Sequence, residues 1–307
     1  MLSRLFLAIS RLLPFAFIGA PSAQAQGITV PQPPPAVVYA PTDLSAPAKE
    51  LFGRVLSPAP APAHSIGFYS RGCLAGGAAL AITGPHWQVM RLSRNRNWGH
   101  PALIQTLETF AARVRKTTRW NGILVGDLAQ PRGGPMLTGH ASHQIGLDAD
   151  IWLTPMPDRV LSTAERETMM ATNVVAADWN GVDPNVWTPD HIAVLKQAAQ
   201  MPGVERILVN PAIKKALCQQ VRGDRRWLSV IRPVLGHNYH FHLRLACPNG
   251  STSCQKQASP PPSEGCGKEL DWWFSAEARR PKPPHPPAPP VALGQLPSAC
   301  RAVITAK

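Results

Sequence analysis

HNYHFHLRLAC, residues 237–247, alternates polar and apolar side chains, the period-two pattern of a strand with one buried face. The alternation sets His240 and His242 on one face and Tyr239, Phe241, Leu243 and Leu245 on the other. A second stretch, GHASHQIGLDADIW at 139–152, ends in the same pattern. Residues 146–153 read as a strand with Asp148 and Asp150 pointing one way and Leu147, Ala149 and Ile151 pointing into the core. Two strands therefore each present a polar pair from an apolar frame.

Other elements surround this pair. Leu103, Leu107, Phe110 and Val114 are spaced four, three and four apart, which predicts an amphipathic helix over 101–117. Residues 122–129 and 204–210 read as strands. Ser162 with Glu165 forms a capping box before a short helix, and Thr188-Pro189 and Asn210-Pro211 each open a helix with proline at its first position. Strands and helices do not alternate as βαβ units. The expected class is α+β, helices packed on a mainly antiparallel sheet.

The chain has 307 residues and 34 prolines, eleven of them in 1–62 and eleven in 255–307. This predicts one core with two Pro-rich flanks. Residues 1–25 read as a signal peptide: Arg4 and Arg11, a short apolar run at 12–20, then Ala23-Gln24-Ala25 as a small-x-small cleavage pattern. Residues 26–63 follow as a Pro/Ala-rich arm, 64–254 as the core, and 255–307 as an extended tail. The tail is expected to be held by cysteines and by Trp272, Trp273 and Phe274. No stretch is long and apolar enough for a membrane span. The six cysteines, Cys73, Cys218, Cys247, Cys254, Cys266 and Cys300, are even in number and show no CxxC spacing. In an exported chain that suggests three disulfides rather than a thiolate zinc site. Spacing alone favours only Cys247–Cys254.

The formal net charge is +13, from 31 basic and 18 acidic residues. The basic residues are scattered and not interleaved with aromatics, so nucleic acid is not the expected partner. An exported basic protein would meet cell-wall polymer or anionic surfaces instead.

Imidazoles and carboxylates gathered on one face of a packed sheet call for a partner. Zinc takes both ligand types, and a catalytic site uses three protein ligands and keeps one position open. The candidates are His143, Asp150 and one histidine of the His240/His242 pair. Singly, each histidine reads equally as a hydrogen-bonded structural residue, Asp148 as an anchor for its loop, and His140 as loop packing. The two clusters together favour metal.

These residues also carry a resemblance. GHASHQIGLDADIW with GHNYHFHLRLACP resembles the penicillin-insensitive murein endopeptidases, of the larger group of lysostaphin-type and D-Ala-D-Ala metallopeptidases. That group's signature is a His, an Asp seven positions later and a distant His-x-His, matched by His143, Asp150 and His240-Phe241-His242. FYSRGCLAGGAAL, HWQVMR, NWGHPALI, GDLAQPRGGP, RILVNPAIKKALC and GCGKELDWWF extend the similarity from about residue 64 to 300.

The resemblance implies one zinc ion on His143, Asp150 and His242, with His240 handling protons beside it. It places His237 and Asp148 behind the ligands. His140 and Asp178 match ligands of a second metal, but Gly181 stands where that site's histidine would be. It also implies the disulfides Cys73–Cys300, Cys218–Cys266 and Cys247–Cys254. The expected function is a periplasmic zinc endopeptidase hydrolysing the D-alanyl–meso-diaminopimelyl bridge of peptidoglycan. The alternatives are a catalytically inactive wall-binding protein of the same fold and, less well supported, a metal-dependent nuclease.

Overall fold

The computed structural model describes residues 39–281, 286 and 288–307, so the expected signal peptide and residues 26–38 of the arm lie outside the described residues. The first strands are β1 (His64–Phe68) and β2 (Arg71–Ala75), an antiparallel hairpin, followed by β3 (Ala78–Ala79), β4 (Thr83–Gly84), β5 (Trp87–Val89) and β6 (Trp98–Gly99). The remaining strands are β7 (Ile123–Val125), β8 (Asp148–Trp152), β9 (Val204–Val209), β10 (Ile231–Pro233) and β11 (His240–Leu245). Seven of them form one sheet in the order β10-β9-β11-β8-β7-β5-β4. The α+β expectation holds. The central pairs β9/β11, β11/β8 and β8/β7 are antiparallel, while β10/β9 and β5/β7 are parallel.

The larger helices are α2 (Pro101–Thr117), α4 (Pro189–Ala199) and α5 (Pro211–Gln220); α1 (Ala48–Phe52) and α3 (Thr163–Thr168) are short. Proline opens each of the three larger helices, where its missing N–H costs nothing. His100 caps α2, its Nδ1 accepting from Ala102 N at 3.1 Å. The Ser162–Glu165 capping box is present before α3. The apolar stripe of α2, Leu103, Leu107, Phe110 and Val114, is buried. Phe110 meets Phe241 of β11 edge to face at 6.3 Å. Burying each such side chain stabilises by roughly 1.5–3 kcal/mol.

Residues 255–307 are less extended than their composition predicts. They carry α6 (Lys268–Asp271), α7 (Ala276–Arg279) and α8 (Ala299–Thr305). Disulfides Cys73–Cys300 and Cys218–Cys266 fasten this segment to β2 and α5, and Cys247–Cys254 closes a local loop. Trp272 is 48% exposed and Trp273 and Phe274 are half-buried, so the aromatic triplet is not a core anchor. The anchoring cluster is elsewhere: Phe52 of α1 joins Leu293, Leu296 and Val303 against Ile66 and Cys73.

Lys214 of α5 is fully buried and donates to the carbonyls of Leu228 and Glu264. Burial, reinforced by Arg232, pushes its ammonium down from 10.5 to about 7. The unfolded chain therefore holds the extra proton between these values, and this residue's contribution to stability rises with pH across pH 7 to 10.5. Lys214→Met should flatten that rise, by at most about 1.4 kcal/mol per pH unit. Denaturant midpoints of both proteins measured across the window check it.

Candidate metal centre

In the β8/β11 pair His242 lies opposite Asp150, Arg244 opposite Asp148 and His240 opposite Trp152. Directly opposed residues share a face. The alternation therefore collects Asp148, Asp150, His240, His242 and Arg244 on one side, while Ala149, Ile151, Phe241 and Leu243 enter the main core. Tyr239 departs from the expectation that it faces the core. Strand β11 begins at His240, three residues after a left-handed backbone at His237 (φ 51°), and Tyr239 joins the sheet only through its carbonyl, which accepts from Leu153 N at 2.9 Å. Tyr239 thus precedes the strand and is 44% exposed.

Asp150 is the centre of the cluster. Its Oδ1 lies 3.2 Å from His242 Nδ1, 3.4 Å from His143 Nε2 and 3.7 Å from His240 Nε2, and its Oδ2 lies 3.5 Å from His140 Nδ1. Two imidazoles are gripped from behind: His140 Nε2 meets Asp127 Oδ2 and His242 Nε2 meets Asp148 Oδ1, both at 2.9 Å. An ionised carboxylate only accepts, so each Nε2 donates and each Nδ1 turns toward Asp150. Where those imidazoles are neutral, acceptor faces acceptor in a buried setting, an arrangement that needs a proton or a cation between.

Four further observations fit a cation. His143 is fully buried and both of its ring nitrogens lack a hydrogen-bond partner, as do Asp150 Oδ1 and His240 Nδ1. Buried polar atoms are otherwise nearly always paired. Among the described residues, His140, His143 and Asp150 each offer a ligand atom, all within 4.8 Å of one another. His242 approaches the same carboxylate from the β11 side.

The electrostatics agree. Burial opposes charge throughout, and the partners decide the outcome. Burial would raise Asp150, but His143, His242 and His240 hold it well below the ordinary carboxylate range. Burial would lower His242, yet Asp148 and Asp150 outweigh it and push this imidazole up to about 9. His140 is raised by Asp127 and Asp150 against its burial. His143 and His240 go the other way: burial dominates, and His240 falls to about 4. The pocket thus attracts positive charge at Asp150 while keeping His240 an uncharged base at neutral pH.

Asp148 holds the frame. Fully buried, it accepts from His143 N at 2.9 Å, from His242 Nε2 at 2.9 Å and from Arg244 Nε at 2.7 Å. The first of these bonds fixes His143 in a left-handed backbone, φ 68°, strain of the kind that surrounding structure must offset. Asp148→Ala would strand the Arg244 guanidinium, whose side chain is 9% exposed. It should cost about 3–5 kcal/mol, read by chemical denaturation.

A cleft of about 310 Å³ opens onto this cluster, lined by Arg94, Asp127, His140, Asp150, Tyr239 and His240 among others. His143 and His242 lie beneath it, buried. Asp127 was not singled out by the sequence, although a lone Asp closing an apolar strand is a detectable signal. It accepts from Arg94 and Arg96 at 3.0 and 2.8 Å as well as from His140, which brings it down to about 2 in spite of burial. Of these arginines, read as scattered surface charge, Arg94 lines the cleft and Arg96 holds Asp127 from behind it. His237 packs beside His240 with ring centroids 4.9 Å apart and the planes tilted by 44°. Asp178 is not among the residues gathered around Asp150. It bonds Asn180 and lines a separate groove, and Gly181 has open space around it.

Residues 65–305 match the profile of a family described as penicillin-insensitive murein endopeptidase. The chain is 45% identical over 244 residues to the penicillin-insensitive murein endopeptidase of Haemophilus influenzae, covering 79% of this chain and 82% of that protein. Similar relatives with the same name occur in Klebsiella pneumoniae (40% over 251 residues, 82% and 89% covered). Escherichia coli has another (39% over 251 residues, 82% and 89% covered).

Proposed function

The chain belongs to the penicillin-insensitive murein endopeptidase family, and from that premise we propose that it is an exported zinc endopeptidase cutting the D-alanyl–meso-diaminopimelyl crosslink of murein. The observation that carries the metal reading is the ring of imidazole nitrogens turned on Asp150, with both nitrogens of buried His143 unpartnered. His143, Asp150 and His242 would hold zinc, a donor set of the kind catalytic zinc sites use. His140 stands close enough to add a fourth donor. Without Asp178 and with Gly181 in place of histidine, a complete second site is not part of this reading.

Zinc bound there supplies Lewis acidity, easing ionisation of water and drawing charge from a carbonyl oxygen. Proton movement falls to the protein. His240, uncharged at neutral pH, accepts a proton from the attacking water at its imidazole and returns it to the departing amine, a role typically worth about 10²–10⁴-fold. His237 supports that ring: its Nδ1 lies 3.2 Å from the Leu235 carbonyl, to which it donates. Asp127 and Asp148 keep His140 and His242 in the tautomer that faces Asp150. Among the described residues no serine lines the cleft, so a β-lactam would find no serine nucleophile in that lining.

Export through residues 1–25 would deliver the chain to the periplasm, where the wall lies and where three disulfides persist. No described helix is long and apolar enough to cross a membrane. The net charge of +13 suits a polymer bearing carboxylates. The test is digestion of soluble crosslinked muropeptide dimers with and without a chelator. Conversion to monomers, stopped by the chelator and restored by zinc, is expected. Failure to convert with metal present would leave a wall-binding protein without activity.

A further inference from the structure

A second groove of about 610 Å³ lies apart from the cleft, lined by Asp178, Trp179, Asn210, Trp273, Phe274 and Arg280 among others. Its aromatic walls are built to stay open. Trp179 is 47% exposed, yet it occupies a left-handed backbone conformation, φ 59°. For a bulky side chain that is a genuine outlier, retained where the surroundings over-determine it. The turn that imposes it is closed by Trp179 N donating to the Ala176 carbonyl. It is further fixed by Arg279 Nη2, which donates to Asn180 Oδ1 at 2.6 Å. Phe274 is contacted by two cations, Lys215 Nζ at 4.7 Å from its ring centroid and Arg279 Cζ at 5.5 Å. Both walls are thus held in place by the protein itself.

The groove and the cleft share one loop. Asn210 holds that loop from the groove side, its Nδ2 donating to the Gly236 carbonyl at 2.7 Å and its N–H to His237 O at 3.1 Å. Leu235, 56% exposed, faces the groove, while its carbonyl accepts from His237 on the cleft side. A ligand lying in the groove would therefore run up to the residues beside His240.

We propose that this groove binds the glycan strand of the polymer whose peptide crosslink is cut in the neighbouring cleft. The inference rests on the murein endopeptidase reading. A pyranose ring pairs an apolar C–H face with an edge of hydroxyls and amides. Indole walls with Asn210 and Asp178 between them match that split character. A hexosamine bearing a lactyl carboxylate adds a negative group for the guanidinium at the rim. A purely apolar occupant would take the charged groups of Asp178 and Arg280, which line the groove, out of water with nothing in return.

Two assays separate this inference from the reading beneath it. Calorimetry with glycan strands stripped of their peptides should detect binding to the wild-type chain, weakened about tenfold or more by Trp179→Ala and largely restored by Trp179→Phe. Hydrolysis of small crosslinked peptides lacking sugar should be unchanged in both variants. Trp179 sits on an exposed turn, so loss of the fold would show as loss of that hydrolysis. Equal binding by wild type and Trp179→Ala, or none by either, would overturn the groove assignment while peptide hydrolysis still tests the endopeptidase. A wild-type dimer dissociated by Trp179→Ala, with no glycan binding, would assign the groove to a second copy of the chain and overturn the proposal as well.

Discussion

Asp150→Ala is expected to yield a folded protein that neither retains zinc nor cuts crosslinked muropeptides. Among the described residues, Asp150 is the one carboxylate approached by four imidazoles, at 3.2 to 3.7 Å. Removing it would take away a proposed ligand and also the negative charge that draws a cation against the burial penalty. Lewis-acid stabilisation is worth several kcal/mol, and each 1.36 kcal/mol is tenfold in rate. The expected loss is therefore about 10³-fold or more in kcat/KM. Asp150→Asn keeps the shape but not the charge and should fall nearly as far. Metal content measured beside turnover separates a missing ligand from a disturbed active-site shape. Stoichiometric zinc retained by the alanine variant would remove Asp150 from the ligand set.

His240→Ala should part the two properties. His240 stands furthest of the three histidines from Asp150 Oδ1, is pushed down to about 4 mainly by burial, and lines the open cleft. Its loss should leave zinc bound and lower kcat by about 10²–10⁴-fold, the range for a general acid and base. KM should change little, because the imidazole acts on the proton rather than on substrate binding. Normal turnover in this variant would assign proton handling elsewhere, with His237 beside it as the next residue to replace.

Much of this site could be read from the sequence because its frame is a regular strand pair. Period-two alternation placed Asp148, Asp150, His240 and His242 on one face, and the register of β8 and β11 brings the two strands into contact there. What alternation cannot supply is where a strand begins. Tyr239 was assigned to the core because the pattern continues through it, whereas β11 begins only at His240, after the left-handed backbone at His237. Side chains that converge from distant segments were equally invisible. Asp127, Arg94 and Arg96 reach the site only after β7 and the loop following β5 are brought together, and singly each resembles surface charge. Capping and proline signals predicted the openings of α3, α4 and α5 well, since they act locally. Helix α1 was missed because its five residues lie in a Pro-rich stretch with too short a run to show a period.

His140 illustrates the remaining gap. By spacing it was a neighbour of Gly139 with no stronger claim than loop packing. In the structure it mirrors His242: each is held at Nε2 by a buried aspartate and turns Nδ1 on Asp150. That symmetry arises from two carboxylates on separate segments, Asp127 just after β7 and Asp148 in β8, which no local pattern reveals.

The central claim is that this cluster is a metal centre. Elemental analysis of the purified, non-denatured chain tests it most directly. The account predicts one zinc per chain, lost from Asp150→Ala and kept by His240→Ala; a wild-type chain that cleaves crosslinked dimers while carrying no metal would contradict it.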